Sequence, residues 1–165
     1  MDPITVLGAI ASVVSVSNAL GFGIKTLRSL ANASEEFRDM LNELSNLQTL
    51  VEHLRATADN MADPRLAVPN DFVCQIRTIE SELNEIVGSL LEIQVKLQRN
   101  RKQALVKGAK EPGVSAISWQ RVRGKVRMIR DRGKRCQDSL NICLGLLGIF
   151  QQYEYYGGRQ VFFKD

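Results

Sequence analysis

Apolar residues recur along most of this chain at alternating steps of three and four, the spacing that lines one face of an α-helix. From Phe37 the series Leu41, Leu44, Leu47, Val51, Leu54, Ala58 and Met61 makes one narrow stripe. A second runs Phe72, Ile76, Ile79, Leu83, Ile86, Leu90, Ile93 and Leu97, widened by Val73, Val87 and Leu91. A third runs Val122, Val126, Ile129, Gly133, Cys136, Leu140, Cys143, Leu147 and Phe150. Stripes of this width suit a bundle better than an isolated two-stranded coil. The alternation in steps of two that marks a strand is almost absent.

The first thirty residues differ in kind. Asp2-Pro3 is a helix start, an acid to cap and a proline where its missing N–H costs nothing. From Ile4 to Ile24 there are 21 residues without a charge, long enough to span a bilayer. Thr5, Ser12, Ser15, Ser17, Asn18 and three glycines make it a poor spanning helix, and with Lys25 as the first base it lacks the basic leader of a secretory signal. The simplest expectation is a helix buried on most sides in a bundle core. The next helix has two candidate caps, Asn32 with Glu35 as a capping box or Ser34 one register later. Asp63-Pro64 and Pro69-Asn70 break the chain again, and Gly108, Pro112 and Gly113 mark a basic loop over 100–116. These signals predict an all-α fold, an antiparallel four-helix bundle with helices at about 3–31, 34–62, 70–100 and 116–152. Residues 1–152 form one domain, and 153–165 are an ordered flap or the start of a linker.

Charge adds an asymmetry that the net value of +4 conceals. Residues 35–92 hold twelve acids against four bases, and residues 99–135 hold thirteen bases against two acids. Two readings stand equally open: the basic segment pairs with the acidic one inside the fold, or it meets an acidic partner, a phospholipid surface or a nucleic acid. Candidate catalytic chemistry is sparse. His53 is the only histidine, on an acidic helix beside Glu52, and is expected at the surface. Cys74, Cys136 and Cys143 show no CxxC pairing, and Cys136 and Cys143 fall on the buried stripe as small hydrophobes. Gly108 to Gly113 has the GxxxxG spacing, but Val114 stands where a phosphate-binding loop needs lysine. Glu82 and Glu85 have no ExxH partner and read as surface carboxylates. The chain is therefore read as non-enzymatic, without cofactor or metal. Trp119, beside Arg121 and Arg123, reads as a seal on the bundle end rather than an interfacial anchor.

Met1-Asp2-Pro3-Ile4, the small-residue helix GAIASVVSVSNAL, the turn KTLRSL and the acidic helix EEFRDMLNELSNLQTLVEHL together resemble the fungal HeLo-like N-terminal domains of STAND (NACHT, NLR-like) proteins. The resemblance implies a signalling domain of the cell-death or heterokaryon-incompatibility type. It would be cytoplasmic at rest and self-associate on activation, with other STAND or effector proteins as partners. Its N-terminal helix would then leave the bundle for a membrane. On that reading Ile4, Val6, Leu7, Ile10, Val13, Val14, Leu20 and Phe22 are the candidate membrane-inserting residues. Gly8, Gly21 and Gly23 are candidate hinges, and Gly8, Ala11, Ser12, Ser15 and Ala19 allow close helix approach in lipid. Arg99, Arg101, Lys102, Lys107, Lys110, Arg121, Arg123, Lys125 and Arg127 are the candidates for binding anionic lipid or a partner. The residues after 152 show neither a NACHT domain nor an amyloid-forming repeat.

A second class of function is an adaptor bundle that pairs its acidic and basic faces with another protein, without membrane activity. Nucleic-acid binding ranks third. Arg121, Arg123, Arg127, Arg130 and Arg132 cannot all face one way, because steps of two turn about 200° around a helix.

Overall fold

A computed structural model gives the backbone of residues 3–30, 33–60, 69–108 and 116–161, and the side chains of 6–30, 33–60, 69–108 and 116–153. Four helices account for almost all of it: α1 (Pro3–Arg28), α2 (Glu35–Asp59), α3 (Asn70–Val106) and α4 (Ala116–Val161). Local chemistry sets several of the ends. Ser34 caps α2, its Oγ accepting from the Phe37 N–H at 3.3 Å, with Glu35 and Glu36 in the first turn where the helix dipole favours acids. The alternative cap, Asn32, lies outside the described residues, as do Asp2 and Met61. At the end of α3 the Lys107 N–H reaches the Gln103 carbonyl at 3.2 Å, and Gly108 follows with φ 84°, a left-handed turn that glycine adopts without a Cβ penalty.

Two helices outrun their expected ends. The chain over 100–106 was expected in the basic loop, yet α3 continues to Val106, because Gln103, Ala104 and Leu105 are good helix formers and the first breaker is Gly108. Likewise α4 runs to Val161 through Gly157-Gly158, so the expected tail begins as helix. Residues 162–165 lie outside the described ones.

Sequential helices run in opposite directions, as an antiparallel bundle requires. The order around the bundle is α1–α2–α4–α3: α1 packs on α2 and α3, α4 packs on the same two, and among the described residues the backbones of α1 and α4, and of α2 and α3, are not adjacent. The α2–α3 connection therefore crosses a diagonal, which leaves two neighbouring pairs parallel. Ser12 meets Glu80 and Gly23 lies beside Leu90, so α1 and α3 rise together; Glu36 meets Arg123 and Thr57 meets Gln151, so α2 and α4 do the same.

The core follows the sequence stripes closely. Phe37, Leu41, Leu44, Leu47, Val51, Leu54 and Ala58 are buried on α2, joined by Met40. All eight heptad positions of α3 from Phe72 to Leu97 are buried, with Val73 and Ser89 beside them. Leu91, expected to widen that stripe, is 50% exposed; it sits one residue past Leu90, about 100° further around the helix and off the inner face. On α4 the buried line is Trp119, Val122, Val126, Ile129, Cys136, Leu140, Cys143 and Leu147. Burial pushes the Cys136 thiol up to about 12, helped by Glu82 and Cys143, and the Cys143 thiol up to about 11. Trp119 seals one end of the core: its ring lies 4.5 Å from Phe37, tilted by 60°, and it is 9% exposed. His53 is exposed.

Candidate functional site

The inner face of α1 is ordinary core. Val6, Ile10, Val13, Val14, Leu20, Ile24 and Leu27 are buried, and each such aliphatic side chain stabilises the bundle by about 1.5–3 kcal/mol. The helix is not, however, buried on most sides. Leu7, Gly8, Ala11, Ser15, Asn18, Ala19 and Phe22 are exposed, Leu7 by 45% and Phe22 by 70%. These positions lie on one side of the helix, and none carries a charge. The sequence-based list of membrane-inserting residues thus divides: Val6, Ile10, Val13, Val14 and Leu20 point into the core, Leu7 and Phe22 point out, and the Ile4 side chain lies outside the described residues. With no charge on either face from Ile4 to Ile24, that stretch of sequence has little to fix the rotation of the helix.

What holds α1 in place is also distinctive. Ser12 Oγ donates to Glu80 of α3, Gln48 Nε2 of α2 donates to the Ser17 carbonyl at 3.0 Å, and Arg28 donates to Asn42 at 3.1 Å and Ser45 at 2.9 Å. No ion pair joins α1 to another helix among the described residues. Of the three candidate hinges, Gly8 faces open space, whereas a Cβ on Gly23 would rest 3.6 Å from Leu90 Cδ1 and one on Gly21 would meet the end of Gln48. Gly21 is thus a packing position, which lets the Gln48 side chain cross α1.

The basic segment divides in the same way. Along α4 six of its bases, from Arg123 to Arg135, meet acids of α2 and α3. Arg123 and Arg127 bind Glu36 at 2.9 and 3.3 Å, Arg130 binds Glu43 at 2.5 Å, Arg132 binds Glu82 at 3.0 Å, and Lys125 pairs with Glu92. Arg135 adds a longer contact to Glu82 at 3.9 Å. Desolvation raises the Glu36 carboxyl, but the hydrogen bonds and charges of Arg123 and Arg127 more than reverse it and leave it below the usual value. The hydrogen bonds that Arg130 donates to Glu43 hold its guanidinium above its ordinary value, with desolvation opposing. Glu82, read from sequence as a surface carboxylate, is instead a partly buried anchor for α4. Of the nine candidate anion-binding bases, Arg123, Lys125 and Arg127 are therefore committed inside the fold. Arg99, Arg101, Lys102, Lys107 and Arg121 have no ion pair with a described residue, and Lys110 lies outside the described residues.

Sequence reading missed the exposed aliphatics near the free bases. Leu105, Val106 and Ile117 are 50, 89 and 63% exposed. The signal was present: Leu105 and Val106 fall just after the position, Ala104, where the α3 heptad series from Leu97 would continue. Among the described residues, no group of three or more His, Cys, Asp or Glu side chains is placed to hold a metal ion. By length and composition α1 from Val6 to Arg28 is able to cross a membrane, as many buried core helices are. The chain matches no protein-family model, no curated protein and no solved structure.

Proposed function

We propose that the protein is a membrane-acting helical-bundle effector in which α1 exchanges its place in the core for lipid. The observation that carries this reading is the way α1 is attached. Its hold on the bundle is apolar burial, which a bilayer supplies equally well, supplemented by a few neutral or singly charged hydrogen bonds. Helix α4 is fastened by ion pairs, whose charges would be costly to bring into hydrocarbon. Because the backbone of α1 is not adjacent to that of α4, its departure leaves the α2–α4 and α3–α4 pairs of helices side by side. The uncharged outer face gives a first point of lipid contact without any rearrangement.

The resemblance to HeLo-like domains supports the same reading and extends it to a cytoplasmic cell-death or incompatibility signal, released by self-association of STAND-type partners. The experiment is dye release from phosphatidylserine-containing and neutral vesicles, with the protein clustered by a fused oligomeric tag. Release from the anionic vesicles that is lost in Leu7→Lys/Phe22→Lys, a pair on the exposed face that leaves the core untouched, supports the proposal. Equal release by wild type and variant, or none by either, overturns it.

A further inference from the structure

At the end of the bundle where α1 stops, α3 reaches beyond it. Gly23 packs beside Leu90, and α1 ends five residues later at Arg28, whereas α3 continues to Val106. At 1.5 Å per residue, α3 extends roughly 15 Å past the end of α1. Two arms meet here, Lys96–Gly108 of α3 and Ala116–Val122 of α4, the second lying against the start of α2, and neither contains an acid. A cleft of about 230 Å³ opens between them, lined by Lys96, Arg99, Asn100, Ser118, Arg121 and Val122. Asn100 Nδ2 donates to Ser118 Oγ at 2.9 Å and ties the two arms together across it.

Helical spacing orders the groups around this cleft. Val106 follows Arg99 by seven residues and so lies on the same face of α3, nearer the tip. Ile117 precedes Arg121 by four and lies on the same face of α4, again nearer the tip. Each arm thus leads from a cation to an exposed aliphatic side chain. The arrangement matches a bilayer in profile, with phosphates outside and acyl chains beneath.

We propose that this tip docks the resting bundle on an anionic phospholipid membrane. Lys96, Arg99 and Arg121 take lipid phosphate in the cleft, and Leu105, Val106 and Ile117 enter the boundary below the headgroups. A nucleic acid would use the cations and leave the three aliphatics in water; a lipid uses both. The proposal rests on the membrane-effector reading only in its choice of a bilayer as target, since docking needs no movement of α1.

The test is co-sedimentation of the full chain with vesicles of phosphatidylcholine alone or with added phosphatidylserine. Binding should require phosphatidylserine and weaken as salt is raised. Lys96→Ala/Arg99→Ala/Arg121→Ala should weaken it by about a hundredfold, near fivefold for each base removed. Leu105→Ser/Val106→Ser/Ile117→Ser should weaken it by about tenfold or more at unchanged net charge. Arg123→Ala/Arg127→Ala, which removes bases committed to Glu36, should change it by less than about threefold; all four proteins are compared at equal helical content by circular dichroism. Leu7→Lys/Phe22→Lys should still sediment with the vesicles even where it releases no dye, which separates failure of docking from failure of the α1 exchange. Binding left intact by both tip variants overturns the proposal, as does tight binding to duplex DNA with none to vesicles.

Discussion

Helices α1 and α4 occupy opposite corners of the same bundle and bury comparable aliphatic stripes, yet they are held by different forces. α4 adds charge to its buried stripe: Arg123, Arg127, Arg130 and Arg132 reach acids on both neighbours. α1 is fixed by the exclusion of water, with no ion pair to another helix among the described residues and an outer face that carries no charge before Lys25. The inner stripes explain why the chain folds as four helices. The outer faces and their attachments distinguish one helix from another, and they bear on function. A helix held mainly by apolar contact loses little wherever water is excluded.

The largest effect expected from this contrast lies within α1 itself. Leu20→Ala, at a fully buried position, should cost about 2–5 kcal/mol of unfolding free energy. Phe22→Ala, two residues on and 70% exposed, should stay within about 0.5 kcal/mol of wild type. Equal losses in denaturant titrations would mean that the outer face is covered. Next in size is the anchoring of α4: Arg132→Ala leaves Glu82 without its nearest partner and should cost about 1 kcal/mol, shrinking in high salt. Salt-independent loss would show that packing, not charge, holds α4.

Gly8→Ala should act in the opposite direction. The site has open space around it, so a better helix former should raise stability by about 0.5–1 kcal/mol. A destabilised Gly8→Ala would place a neighbour against α1 at that position. The smallest effect is that of pH on Glu36. Its carboxyl is held below the ordinary value of 4.5, so the stability it contributes is complete above that value and is lost as pH falls through the lower folded-state value. Melting curves of wild type and Glu36→Gln should therefore converge on acidification, and a constant gap between them would contradict the pairing.

Periodicity alone made the four helices and nearly all of their buried positions legible, because each inner face is marked by apolar residues against a polar background. Where that background is missing, the reading fails. From Ile4 to Ile24 both faces of α1 are uncharged, so Val14 and Leu7 look alike in sequence although one is core and the other faces out. The order of helices around the bundle was illegible for a different reason: a stripe shows which face is buried, not which neighbour buries it. That is why the diagonal α2–α3 crossing emerges only in three dimensions. The charge blocks left pairing and an external partner equally open, and the structure shows the pairing for a part of the segment. Arg123, Lys125 and Arg127 stand opposite acids because α4 lies between α2 and α3, while Arg99 and Arg121 lie beyond the reach of either.

The central claim is that α1 must leave the bundle to act on a membrane, and a reversible tether tests it most directly. A Cβ built on Gly23 lies 3.9 Å from Leu90 Cβ, within the range of about 3.5–4.5 Å that a disulfide spans. Gly23→Cys/Leu90→Cys, with Cys74→Ser to remove the exposed thiol, should lock α1 to α3 when oxidised. Clustered protein should then release no dye from anionic vesicles until a reductant is added, and release it fully afterwards. Undiminished release from the oxidised, cross-linked protein would contradict the account.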